Sequence, residues 1–425
     1  MPSPRKGSRM NGPPIAAPAI RSPWFHGWTI LAVAFLAQML SMGTTVYGFG
    51  VFVKPLTTEF NVSRATLNNG FILFMLGMGL FSILIGRLLD RYPIRLIMFG
   101  GAIIMGAGFA ALSACRTLTG MGLIIVGPLA FGATAIGPLV ASTLVANWFT
   151  RLRGRAMGIS SVATSLGGAL VVPLIALSLE QFGWRVTLAV VGVLVAVLAG
   201  LSALLFIHNR PADIGLITDG SIQTSAQPGA FAGDDQSPRD WLYSRNFWCI
   251  TFSVGLCFAI NQSFLISLVP YATDLQIGLK QATLLLSCSS IASIAGKLVI
   301  GACADHIDKR LLMLLVIVCI VVQMSVLILQ PSFLVLLIVC TLAGFAIGGE
   351  LPVWGALVAD CFGSVKYGAV MGAMNAVNTL LGLGAVYFIG TIYDRTASYA
   401  MAFQIFIGIA VLAALFLLFI RAKTE

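Results

Sequence analysis

Long apolar runs alternate with short polar breaks along this chain, and each run is apolar continuously rather than at every second position. That pattern predicts helices, because a membrane strand shows apolar and polar positions in turn. Twelve runs stand out: 27–53, 68–87, 95–114, 121–147, 157–180, 186–207, 247–271, 281–304, 311–329, 333–358, 367–391 and 399–420. Each is close to the roughly 20 residues that a helix needs to cross a bilayer. The longest polar stretch runs from His208 to about Arg245 and contains GSIQTSAQPGAFAGDDQSP, a linker by composition. It parts the runs six and six.

Composition strengthens that picture. Hydrophobic residues make up 58% of the chain and charged ones only 9%, with a mean hydropathy of +0.97, outside the range of a soluble domain. The 45 glycines suit close packing of helices in lipid. The net charge of +10 is unevenly placed. With both termini on the cytoplasmic side, 18 of the 25 lysines and arginines fall on the inner face, among them Arg87, Arg91, Arg95, Arg151, Arg153 and Arg155. Positive charge favours the inner side, so this bias predicts N-in, C-in. It also accounts for the basic balance without nucleic acid, which would need a basic face on a water-exposed domain.

Other chemistries find no support. The eight cysteines form no C-x-x-C pair and are expected to be reduced packing residues. The three histidines are scattered, so no metal and no cofactor is expected. There is no phosphate-binding Walker loop and no G-x-S-x-G. No enzyme activity is therefore expected, and any transport must draw on gradients. Residues 1–23 are Pro-rich and basic with no apolar core, and are expected to be a disordered tail rather than a signal peptide.

An internal repeat links the two halves. GRLLDRYPIR follows the second run, with Gly86, Asp90 and Arg91, and GACADHIDKR follows the eighth, with Gly301, Asp305, Lys309 and Arg310. Both read G-x-x-x-D followed by basic residues, at the same place in each half. The glycine permits close helix approach, and the aspartate can cap a neighbouring helix.

At these residues the chain resembles transporters of the major facilitator superfamily, whose inner loop reads G-x-x-x-D-R-x-G-R-R/K. Gly86, Asp90, Arg91 and Arg95 match that signature, and Pro93 and Ile94 depart from it. WFHGW at the first run, NWFTRLRGRAMGIS between the fourth and fifth, QFGWR before the sixth, NRPADIGL after it and LVPYATDLQI at the end of the seventh resemble the bacterial monocarboxylate-porter and oxalate/formate-exchanger branch. The resemblance implies an all-α membrane protein of twelve transmembrane helices in two six-helix bundles. Its parts would be a tail (1–23), a first bundle (24–207), a cytoplasmic linker (208–245), a second bundle (246–420) and a short tail (421–425). It implies a bacterial inner-membrane protein, expected to be a monomer, moving a small organic anion with protons. Exchange of carboxylates and, further off, drug efflux are the alternatives. Gly86, Asp90, Arg91 and Asp305 would be gating residues by the same resemblance.

Two charges inside runs are the strongest candidates for the site. Lys297 lies in ATLLLSCSSIASIAGKLVIGACA, and Glu350 in GFAIGGELPVWGALVAD. A charge at that depth is costly and faces protein or a water-filled path. Lys297 lies eight residues before Asp305, or ~12 Å along a helix, too far for its stem to reach the surface. The resembled branch has an arginine at the Lys297 position, four residues before a glycine, that meets the substrate carboxylate; lysine keeps its charge and loses its planar fork. Lys297 and Glu350 each lie about 4 residues, ~6 Å, past the midpoints of their runs. They are expected to pair in the absence of substrate, with Glu350 taking up the coupled proton, unless the pair is a permanent structural bridge. Tyr47, Asn261, Asn375 and Asn378 are further candidates, each lining a cavity or bonding across a helix interface.

Overall fold

Gly183 decides how the fifth and sixth helices divide. Its φ of 73° lies in the left-handed region, and it breaks an otherwise continuous helical stretch from Arg153 to Phe206. The break falls between the runs expected at 157–180 and 186–207. The computed structural model describes residues 25–216, 218 and 240–420. It contains α1 (Gly27–Phe60), α2 (Arg64–Arg91), α3 (Ile94–Ala114), α4 (Leu118–Trp148), α5 (153–182) and α6 (184–206). The second half contains α7 (Arg245–Asp274), α8 (Leu279–Cys303), α9 (Lys309–Ile328), α10 (Phe333–Phe362), α11 (Tyr367–Thr396) and α12 (Ala400–Leu418). The tails expected at 1–23 and 421–425, and most of the linker, lie outside the described residues. The linker's first residues are held to the first bundle: Asn209 Oδ1 caps α3 by accepting from Ile94 N at 2.7 Å, and Trp148 Nε1 donates to His208 O at 3.0 Å.

α1 and α11 extend furthest beyond the ends of their apolar runs. α1 continues through Lys54 and Pro55 to Phe60, where Asn61 ends it with a φ of 48°. The Thr57 and Thr58 hydroxyls donate to Lys54 O, and Glu59 holds the end by pairing with Arg185 at 2.7 Å and accepting from Trp184 Nε1 at 2.5 Å. α11 likewise runs on past the expected end at 391, to Thr396. All eight cysteines are free.

Glycines set how the helices meet. Within the first bundle, α1 and α5 each widen into a π-turn, Gly43–Tyr47 and Gly167–Val171. The two turns touch, and a Cβ on Gly43 would stand 2.6 Å from Gly167 O. Within the second bundle, α8 lies on α10, where a Cβ on Gly348 would stand 2.2 Å from Ser293 O. The bundles meet along two further glycine seams. In the α2–α11 seam, a Cβ on Gly372 would stand 2.1 Å from Ser82 O. In the α5–α8 seam, a Cβ on Gly158 would stand 2.4 Å from Lys297 O. The loops 92–93, 149–152 and 304–308, with the basic residues Arg91, Arg95, Arg151, Arg153, Arg155, Lys309 and Arg310 in or beside them, gather at one end of the molecule, called the basic end below. The segments of α4, α5 and α10 that touch the other bundle are their halves nearest that end, so the bundles are closed on each other there.

That packing makes a prediction. Gly158→Ala should force α5 and α8 apart, at a cost of about 1–3 kcal/mol to the closed state. Spin labels at Arg151 and Ile307, in loops on either side of the seam, should then show a longer distance distribution. An unchanged distribution would mean that the seam does not hold the basic end shut.

Candidate functional site

The α5–α8 seam positions Lys297. Gly296 faces α10, where a Cβ would collide with the Phe345 carbonyl, and the next residue, rotated ~100° around α8, turns toward α5. Lys297 is 8% exposed. Its Nζ donates to Thr164 Oγ1 at 2.9 Å and Ser165 Oγ at 2.7 Å, both on α5. The ammonium is therefore buried at the boundary between the bundles and met by two neutral hydroxyls. Among the described residues it has no ion pair.

The expected pairing with Glu350 is not present in this conformation. Gly349 of α10 packs against Ile300 of α8, and Glu350, one position on, is turned out of that contact. Glu350 is 6% exposed, and its Oε1 is buried without a hydrogen-bond partner. It is close enough to Cys257 on α7 for the two to interact electrostatically. Helical rotation thus sends the two charges to different places at one depth: the lysine to the bundle boundary, the acid into the second bundle. One turn along from Glu350, Trp354 Nε1 is also buried and unpartnered.

The other candidates separate. Tyr47 lies near Ser165: it ends the π-turn of α1, is 47% exposed, and its ring lies against Gly168, three residues after Ser165 on α5. Asn378 sits in a helix interface, 2% exposed, with its Oδ1 against Gly255 of α7. Asn375 and Asn261 are half-buried and make no side-chain hydrogen bond among the described residues.

The repeated G-x-x-x-D motifs do matching work in the two seams. Asp90, at the end of α2, accepts from Gly368 N at 3.1 Å and Ala369 N at 3.0 Å, capping α11 of the other bundle. Asp305, just past α8, accepts from Gly154 N at 2.5 Å and Arg155 N at 3.2 Å, capping α5 of the other bundle. Each carboxylate meets the positive end of a helix dipole. Arg155 Nε adds an ion pair to Asp305 at 3.5 Å. Burial pushes the Asp305 carboxyl up from its ordinary value, and the N–H groups of Gly154 and Arg155 with the Arg155 guanidinium pull against it. Gly86 packs on the Gly368 carbonyl in the α2–α11 seam. Arg91 is exposed and makes no bond among the described residues.

Thr164, Ser165 and a second ionic link, Asp360 of α10 held by Arg153 at 3.3 Å and Lys309 at 2.9 Å, were not expected from the sequence. The run of hydroxyls Ser160, Ser161, Thr164 and Ser165 in an apolar helix was the available signal. A cavity of about 620 Å³, lined by Glu59, Phe60, Ser113, Ala114, Arg116 and Arg185, lies at the end away from the basic loops. Its Arg185 is already committed to Glu59 and to the Ser113 and Cys115 carbonyls.

Two helical bundles closed at one end over a buried polar site define a multi-pass membrane transporter, not an enzyme. Residues 30–260 and 247–425 match the model of the Major Facilitator Superfamily, and the chain belongs to that family. An uncharacterized MFS-type transporter of Bacillus subtilis, YcxA, is 23% identical over 407 residues, covering 90% of this chain and 93% of the relative. Monocarboxylate transporter 13 of Bos taurus is 25% identical over 392 residues, covering 89% and 85%. The structure of the proton:xylose symporter XylE superposes with a TM-score of 0.69 at 16% identity, covering 94% of this chain and 97% of that one, which shows the shared fold.

Proposed function

We propose that this protein is a secondary transporter of a small organic anion of the monocarboxylate class, working by alternating access and coupled to protons. The observation that carries this reading is the Lys297 ammonium, buried at the bundle boundary and met only by neutral hydroxyls. A cation kept without a counter-ion is a receptor for an anion that arrives. The similarity to a monocarboxylate transporter supports this reading, as do the motifs that resemble the bacterial monocarboxylate-porter and oxalate/formate branch.

Glu350 takes the proton in this scheme. In this conformation Oε1 meets no donor, so the charge of an ionised Glu350 is tolerated only while something compensates for it. Since Lys297 and Glu350 are apart in the closed conformation, coupling works through the equilibrium between conformations rather than through a direct exchange of partners. Asp90, Asp305 and Gly86 hold the closed state, and Tyr47 lines the site. Asn261 and Asn375 are left as candidate cavity residues. The basic end faces the cytoplasm, and the membrane is the bacterial inner membrane, with the protein as a monomer.

The test is uptake of labelled pyruvate, lactate, oxalate and benzoate into proteoliposomes under an inward proton gradient. Accumulation driven by the gradient supports the symport reading. Exchange of internal for external carboxylate without dependence on the gradient would replace symport by antiport. Failure to move any carboxylate in either assay would remove the anion reading.

A further inference from the structure

A lysine offers charge but no fixed pair of donors. The surroundings of Lys297 supply the second donor. Thr164 Oγ1 donates its proton to the Ser161 carbonyl at 2.7 Å, so toward Nζ it can only accept. Ser165 Oγ also accepts from Nζ, and its hydroxyl proton has no acceptor among the described residues. Ser165 is half-buried, so that proton can be reached. An ammonium carries three donors. With two directed at Thr164 and Ser165, the third is open. One N–H and one O–H therefore stand side by side, with heavy atoms 2.7 Å apart, and each comes from a different bundle. Such a donor pair suits the two oxygens of a single carboxylate.

We infer that Ser165 is the second half of the carboxylate receptor. One carboxylate oxygen takes the open Lys297 N–H and the other takes the Ser165 O–H, so two-point recognition is divided between α8 and α5. The inference rests on the reading of Lys297 as the anion receptor. It adds a specificity-determining residue across the boundary, and a preference for a planar two-oxygen anion over a spherical one such as chloride, which offers one centre and gains little from Ser165.

The test is the KM and kcat of uptake for the carboxylate from the panel that wild type carries best, with each variant reconstituted in equal amount and its thermal melt recorded. Ser165→Ala should raise KM about 10-fold with kcat kept within about 2-fold, and Ser165→Thr should restore most of it. Arginine carries two parallel donors of its own. In a Lys297→Arg background, Ser165→Ala should therefore change KM by less than about 2-fold. A wild-type KM for Ser165→Ala, or the same 10-fold rise in the arginine background, overturns the role of Ser165. If Lys297→Ala has meanwhile lost uptake, the receptor role of Lys297 survives that result. Normal uptake by Lys297→Ala, or none by wild type, would bring down both readings together.

Discussion

Lys297→Ala is expected to cut carboxylate uptake by roughly 10- to 150-fold while leaving the protein at least as thermostable as before. The two effects have one cause. Removing a desolvated charge that meets only neutral hydroxyls removes its desolvation cost as well, so the fold gives up little. The substrate loses its cation, and a charge-assisted contact in a buried site is worth about 1.5–3 kcal/mol. A merely structural lysine would give the reverse: a lower melting temperature, with uptake per folded molecule unchanged. Uptake in proteoliposomes beside a thermal melt in detergent separates the two outcomes.

Glu350→Gln should abolish accumulation driven by a proton gradient and leave counterflow of carboxylate running. Glutamine keeps the shape of the side chain and cannot exchange a proton. Since Glu350 Oε1 has no partner to lose, the substitution should not destabilise the second bundle. A variant that still concentrates substrate against its gradient in response to pH would show that the coupling proton binds elsewhere. Loss of counterflow together with accumulation would make Glu350 part of the substrate path instead.

Much of the fold could be read in the chain because its determinants are long and local. Continuous apolar runs of membrane length mark helices with little ambiguity. The polar gap around Gly183 showed that one long helical stretch is two. The end of α1 was not legible: Lys54, Pro55 and Glu59 look like an exit into solvent, and only tertiary partners on α6 reveal why the helix continues. The site divides in the same way. A lysine and a glutamate within apolar runs announce themselves, and the paired G-x-x-x-D motifs fixed both capping aspartates. Ser165 did not announce itself, because hydroxyls in membrane helices commonly satisfy themselves on a carbonyl a turn away, as Ser160's neighbour Ser161 does on Gly158 O. Which hydroxyl meets the lysine depends on the register of α5 against α8, 132 residues apart in the chain, and Gly158 and Gly301 set that register. The misplaced expectation of a Lys297–Glu350 pair has a related origin. Depth can be counted along a helix, but its rotation is set by the neighbours it packs on.

The two seams that close the basic end are made largely of backbone laid on backbone. Backbone contacts of that kind leave little to disengage, so one bundle can roll over the other as a bearing turns in its race. What resists the roll is a small set of polar links: the aspartates at Asp90 and Asp305, each gripping a helix end across the boundary, the Arg153–Asp360 ion pair, and Ser82 Oγ donating to the Gly372 carbonyl. Helix caps are worth about 1 kcal/mol apiece, with a dipole contribution of roughly 0.3–1 kcal/mol more. A catch of that strength holds the door shut most of the time and still lets thermal motion open it often. The machine would idle quickly and need only a small bias from its cargo to run one way.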